Sequence, residues 1–332
     1  MSKTFEGKFG TKATIICDSI SEAGVRLTTF EIEVPRMVWA EIMTHRMFSR
    51  NAASSRAIPF NKMKEQLTAR PTRFGKANPG MQDTGEDFSN AVKINDGERI
   101  WKWKPYDAWN KAKEDALKWS EAFYEAGYSK QVFNRLTEPF QLIKGLITAT
   151  EFANFFWLRD DKAADPTLQE LAGLMQQAYD ETIPEKLKVG EYHLPYVISG
   201  TDKWHDIVYY ADEKTQALTL EEAIKVSAAR CAAVSYRNED YGLEKCLQVY
   251  ERLVGDERKH SSAMEHQATP MQPYIYEWTN PNAVTTKLVN AKDRPSSWEK
   301  GISHVDRNGQ LWSGNFRGYI QHRKLIPGEN YT

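Results

Sequence analysis

Between residues 12 and 35 the chain alternates apolar and polar positions in two runs, Ala13 to Cys17 and Val25 to Val34. In the second run Leu27, Thr29, Glu31 and Glu33 share one side, while Phe30, Ile32 and Val34 share the other, the period of a strand. With the turn dipeptide Ala23-Gly24 between them, the two runs predict a hairpin. Pro35 suits a first helical turn, so the spacing predicts a helix from there through roughly Arg46. Residues 58–105 lose periodicity and read as a long irregular excursion, of the kind that is usually functional or mobile in a compact domain. Trp109, Ala112, Ala116, Trp119 and Phe123 then recur at helical spacing until Gly127.

Two further helical regions are predicted, from about Gln141 to Leu158 and from Pro166 to about Glu181. Residues 186–215, around Pro195, read as loops and short extended pieces. Thr219 as N-cap and Glu222 three residues on form a capping box, which starts a helix over 219–234. Another helix runs from about Leu243 to Val254, and a last helix-like stretch from Phe316 to Lys324. A small, mostly antiparallel sheet packed with several helices is an α+β fold. We divide it at residues 1–215 and 216–332, as two portions of one intertwined catalytic domain.

Composition narrows the function classes. The chain has 332 residues, 41% hydrophobic and 27% charged, as expected of a soluble globular protein. Its net charge of −1 argues against whole-protein attraction to nucleic acid or an anionic membrane, so any anion must be met by a local patch. Cys17, Cys231 and Cys246 form no CxxC pair, which leaves no disulfide framework or cysteine zinc site and fits reduced thiols in the cytoplasm. The opening MSKTFEGKFGTK lacks a signal peptide's apolar core, and no apolar run reaches the roughly 18 residues of a membrane span.

The local patch is at residues 44–59, THRMFSRNAASSRAIP. From Ile42 to Lys64 there is no acidic residue, but Arg46, Arg50, Arg56, Lys62 and Lys64 are present, in a chain with 45 acids and 44 bases. Ser49, Asn51, Ser54 and Ser55 lie between them. Arginine forks beside hydroxyls and free backbone N–H groups suit a phosphate. The pattern alone equally describes a solvated basic loop.

His45-Arg46, then seven residues, then Ser54 and, two further on, Arg56 resembles the signature of the flavin-dependent thymidylate synthases, also called thymidylate synthase complementing proteins. That signature is Arg-His-Arg, seven residues and Ser, within a longer Asn-x-x-Ser-x-Arg pattern. Asn51, Ser54 and Arg56 fall in place. Thr44 stands where the first arginine is usual, and Ala52 where a glutamate is. Arg135 to Pro139 resembles the family's Arg-x-x-x-Pro, whose arginine meets the nucleotide phosphate. Asn154 to Arg159 resembles its Asn-x-x-x-Leu-Arg helix, whose asparagine approaches the flavin and whose arginine bonds the pyrimidine. Without the resemblance, these two residues read as the polar face of an aromatic helix, about 140° apart.

Two further elements resemble the family out of order. Arg230 to Ser235 is similar to Arg-Ala-Ala-Arg-Val-Ser, with Ala233 for the second arginine. His260 to His266 is similar to His-x-Thr-Pro-Phe-Glu-His, with Ala263-Met264 for Pro-Phe. Both precede the arginine motif in most members and follow it here, as if the halves were circularly permuted, which nearby surface termini permit. A histidine and glutamine expected soon after Arg159 are replaced by Ala163 and Asp165. In the tail, Arg317 to Arg323 echoes the helix that normally leads into the motif. Arg317, Gln321 and Arg323 can then supply polar contacts that Ala40 and Thr44 cannot; the alternative is a surface helix.

The resemblance implies bound FAD, with NADPH and methylenetetrahydrofolate as co-substrates, methyl transfer to C5 of dUMP, and a homotetramer. It implies catalytic roles for Arg159, Ser54 and His260. Glu41, Ser54, Ser55, Arg56, Arg135 and Arg159 would hold the nucleotide, and His45, Arg46, Asn51, Asn154, Ser262 and Glu265 the flavin. No cysteine sits in a nucleophile setting. Three other readings compete. One is a dCMP or hydroxymethyl transferase on the same scaffold. Another is a single-strand nucleic-acid binder using the arginines beside Phe48 and Phe60, against which the neutral charge argues. The last is a metal enzyme using His260, Glu265 and His266, whose spacing suits no helical ligand pair.

Overall fold

The computed structural model describes residues 3–80, 82–204, 206–213, 216–234, 241–255, 257–272 and 298–329, together with the backbone of 274–275 and 284–285. Ser235, the last residue of the Arg230 element, lies outside the described residues.

The alternating runs form the predicted hairpin. Strands β1 (Thr4–Glu6), β2 (Lys12–Ser21) and β3 (Arg26–Pro35) pair antiparallel in succession. The short β4 (Ser49–Ala52) carries part of the basic segment. A hairpin of β5 (Val92–Asn95) and β6 (Ile100–Trp103) projects from the excursion, which also contains helix α2 (Phe60–Glu65). Strand β7 (Leu142–Ala149) lies between β3 and β4, and β8 (Glu185–Leu187) adds to β2 in parallel, giving a six-stranded sheet.

The side-chain split along β3 decides the layers. Phe30, Ile32 and Val34, with Ile143 and Ile147 of β7, pack against the amphipathic α6 (Pro166–Glu181) through Leu168, Leu171 and Met175. On the opposite face Leu146 packs against α7 (Leu220–Ala233) and the 3-10 turn Ser261–Glu265, through Ala228, Cys231 and Met264. The sheet is thus buried on both faces. The Thr219–Glu222 capping box is present, and α8 (Leu243–Val254) forms as predicted. Helix α3 (Pro105–Glu125) forms too, with Trp109, Ala116 and Phe123 on its packed face as the spacing put them, but Ala112 and Trp119 (68% exposed) face outward while Leu117 and Ser120 turn inward. Short α1 (Trp39–Ile42), α4 (Lys130–Phe133) and α5 (Ala153–Arg159) complete the helices used below.

Three predicted helices need correction. The stretch Gln141 to Leu158 is strand β7 followed by α5. A strand buried on both faces gives a continuous apolar run that looks helical by periodicity alone. Its β-branched Ile143, Ile147 and Thr148 favour the strand, and Gly145 admits the Trp39 ring, which a Cβ would meet at 2.7 Å. The helix predicted from Pro35 to Arg46 is a 3-10 turn and α1, and it stops at Ile42. The chain must double back there to lay β4 beside β7. The Phe316 to Lys324 stretch is two short strands and a 3-10 turn, with Tyr319–Gln321 paired to Ala268–Pro270.

Candidate functional site

The basic segment is shaped by the break after α1. The Arg50 guanidinium donates to the carbonyls of Met43 (2.5 Å) and His45 (3.3 Å), bracing the backbone where the helix is interrupted. Phe48 anchors the turn in an aromatic cluster, 5.1 Å from both Phe152 and Phe155. His45 lies over the same cluster, 4.9 Å from the Phe155 ring.

Three predicted site residues meet there. Arg159, at the end of α5, donates from Nε to His45 Nε2 (2.9 Å) and from Nη1 to Glu41 Oε2 (3.1 Å). Its Nη2 reaches Thr44 Oγ1 at 3.3 Å, so the residue standing in for the motif's first arginine touches the arginine of another motif. Because His45 Nε2 accepts, its ring is neutral with the proton on Nδ1. Burial first, then the Arg159 and Arg50 charges, holds its pKa below the ordinary value.

A second group forms where the turn after β4 abuts residues 134–140. Asn134 Nδ2 donates to the carbonyls of Ser55 (2.7 Å) and Ile58 (3.0 Å), and Ser55 Oγ donates to Glu138. This fixes the backbone of the turn and leaves its cations outward. Arg56 and Arg135 are exposed, and their side chains, like that of Ser54, make no hydrogen bond or ion pair among the described residues. Lys130 adds its ammonium to the carbonyl of Ala57 at 3.1 Å. Ser55 is buried and committed to Glu138, so it shapes this turn.

The elements found out of order in the sequence come to the same place. Asn51 Nδ2 donates to the carbonyl of Cys231 on α7 (2.7 Å), and the turn Ser261–Glu265 packs beside β4. Glu265 is ion-paired with Arg323. Ser262, His260, Arg46 and Asn154 are exposed, with side chains unpartnered among the described residues. Arg230 is structural: it donates to the carbonyls of Tyr196, Ala211 and Tyr241. His260, Glu265 and His266 do not converge. The first is exposed, the second is held by Arg323, and His266 is buried with Nδ1 2.7 Å from Thr148 Oγ1. Among the described residues no three His, Cys, Asp or Glu side chains are grouped to hold a metal.

His266 ends a buried polar chain that the sequence did not reveal. His193 Nδ1 lies 2.9 Å from Ser19 Oγ and 3.3 Å from Cys17 Sγ, and its Nε2 lies 2.8 Å from Thr29 Oγ1. Thr29 meets its register partner Thr148 at 2.7 Å. Burial drives both histidines down to about 3, so they are neutral at ordinary pH. Burial also raises Cys17 to about 12 and raises Cys231 and Cys246, so none of the three is an activated thiolate.

A cleft beside α5 has the wrong charge for phosphate. It encloses about 660 Å³, with a floor of Phe152, Phe156 and Tyr179 and a rim of Glu151, Asp160, Asp161 and Asp180. Sequence reasoning gave no role to Asn134, Glu138 and Asn315, polar residues whose partners lie far along the chain and which therefore leave no local pattern. No helix among the described residues is long and apolar enough to cross a membrane.

No curated protein matches the chain. Residues 25–185, which include β3, β4, β7 and the Arg159–Glu41–His45 contacts, match the family described as Thymidylate synthase complementing protein. The fold and these convergent motifs agree with that match, which makes residues 25–185 similar to the thymidylate synthase complementing protein family.

Proposed function

We propose that the chain methylates C5 of dUMP with a one-carbon unit from methylenetetrahydrofolate, using FAD and NADPH, in a homotetramer. The observation that carries this reading is the convergence on residues 41–58 of four motifs far apart in sequence, with Arg46, Ser54, Arg56, Arg135, Asn154, His260 and Ser262 left as polar side chains without a partner among the described residues. Unpartnered donors around a fixed scaffold are what a phosphate and a flavin dinucleotide need. In this reading the order of the halves is permuted, with the Arg230 and His260 elements supplied from beyond the matched region.

Bound FAD, once reduced by NADPH, would supply the hydride that completes the methyl group. The chain's part is positional and electrostatic. Arg56, Arg135 and Ser54 hold the 5′-phosphate, and Ser55 keeps their turn in place through Glu138. Arg159 is half-buried and locked by Glu41 and His45. Its guanidinium is therefore pre-aimed at negative charge developing on the pyrimidine, with no reorganisation needed. Arg46, Asn154 and Ser262, with His45, Asn51 and Glu265, are the residues that would hold the flavin. His260, exposed at the start of its turn, is placed to orient folate or move a proton.

The test is a visible absorption spectrum of the purified protein supplied with FAD, followed by nucleotide titration. The expected result is flavin bands that shift with dUMP and not with dCMP. A shift with dCMP alone points to the related dCMP or hydroxymethyl transferase. Failure to bind FAD overturns the reading.

A further inference from the structure

The C-terminal segment lies outside the matched region and yet touches three parts of the candidate site. Asn315 Nδ2 donates to the carbonyl of Met47 (2.9 Å), and Ser49 Oγ donates to Asn315 Oδ1 (3.1 Å). Gln321 is 2% exposed, and its Nε2 lies 3.0 to 3.2 Å from Asn315 Oδ1, Ser49 Oγ and the carbonyl of Glu265. Arg323 pairs with the Glu265 side chain. Arg317 donates from its backbone to Thr150 Oγ1 (3.1 Å) and from Nε to Glu151 (2.5 Å), just before α5, the helix that carries Asn154 and Arg159. The turn that brings these residues round needs Gly314, whose φ is +60° and where a Cβ would meet Gln321 Oε1 at 2.8 Å.

We propose that residues 311–325 act as a clamp that holds the arginine motif, the Glu265 turn and the start of α5 in register, with Gln321 and Arg317 as its positioning residues. The three parts share no continuous secondary structure. Gln321 bridges two of them with one buried amide, and Arg317 ties down the third. A buried amide with several partners fixes geometry, because any shift leaves a polar group unpaired in a dry site. The inference rests on reading those three parts as one site.

The experiment compares amide hydrogen exchange in the full-length wild type, Gln321→Leu, Arg317→Ala and Arg317→Lys, alongside kcat, KM for dUMP and the dUMP-induced flavin shift. In Gln321→Leu, residues 43–52 and 261–266 exchange about tenfold faster while the 12–35 hairpin is unchanged. In Arg317→Ala the faster segment is 150–159, and Arg317→Lys restores it. kcat falls about 10–100-fold with KM changed less, as expected for misplaced groups. Unchanged exchange in those segments overturns the clamp, as does equal acceleration in the hairpin. If the wild type itself shows no flavin shift, the functional reading fails separately, and the exchange pattern still decides the clamp.

Discussion

The histidine–threonine chain from Cys17 to His266 and the arginines at 46, 56 and 135 are both sets of polar groups, but the first finds most of its hydrogen bonds within the protein and the second does not. In the buried chain His193, Thr29 and Thr148 each find protein partners, and both histidines are held neutral. The three arginines are exposed and have none among the described residues. Buried polar groups must be satisfied internally or they cost stability, whereas exposed ones can wait for a ligand. The first set therefore carries structure, and under the proposed function the second carries recognition. Arg159 lies between these extremes: it is held by Glu41, His45 and Thr44 while remaining partly exposed.

The largest expected effect breaks the buried cluster with acid. His193 and His266 have folded pKa values of about 3 against an ordinary 6.5, so below pH 6.5 the unfolded chain takes up protons that the folded chain refuses. Stability is present above that pH and is lost as pH falls toward 3. The two residues together remove roughly 3–4 kcal/mol between pH 6.5 and 5. Urea unfolding at pH 7, 6 and 5 measures this, and a flat profile would mean the histidines do not stay neutral.

Next in size is Arg159→Ala. Turnover drops by about 10³-fold or more, while the circular dichroism spectrum and unfolding midpoint stay close to wild type, because the Glu41 side chain is already 42% exposed and rehydrates. Near-wild-type turnover would remove Arg159 from the reaction. The smallest effect sharpens the recognition side. Arg135→Ala raises the KM for dUMP about 10–100-fold and leaves kcat nearly unchanged. Binding of deoxyuridine, which lacks the phosphate, should not change; an equal loss for both ligands would place Arg135 elsewhere than at the phosphate.

The parts of the fold legible in the sequence were those whose cause is local. The β2–β3 hairpin follows from alternation, α6 from its apolar stripe, and α7 from the Thr219–Glu222 box. Strand β7 was misread because burial on both faces erases alternation. Strand β4 was absorbed into a loop because it is four residues long and its neighbour β7 lies about ninety positions away. In the candidate site, the family resemblance singled out Glu41, His45 and Arg159 one by one. It carried no sign that they bond to one another, that Ser55 is committed to Glu138, or that Glu265 is committed to Arg323.

By itself the sequence determined the propensities that act over a few residues: caps, alternation, and the acid-free basic stretch from Ile42 to Lys64. Only the tertiary structure decided which polar groups are satisfied and which stay open. Hydrogen-bond satisfaction is settled by partners such as Thr29 and Thr148 or Ser49 and Gln321, which lie 119 and 272 residues apart and meet only when the sheet closes. The same amino acids spell a solvated loop or a binding site, and the difference lies in what the rest of the chain folds against them.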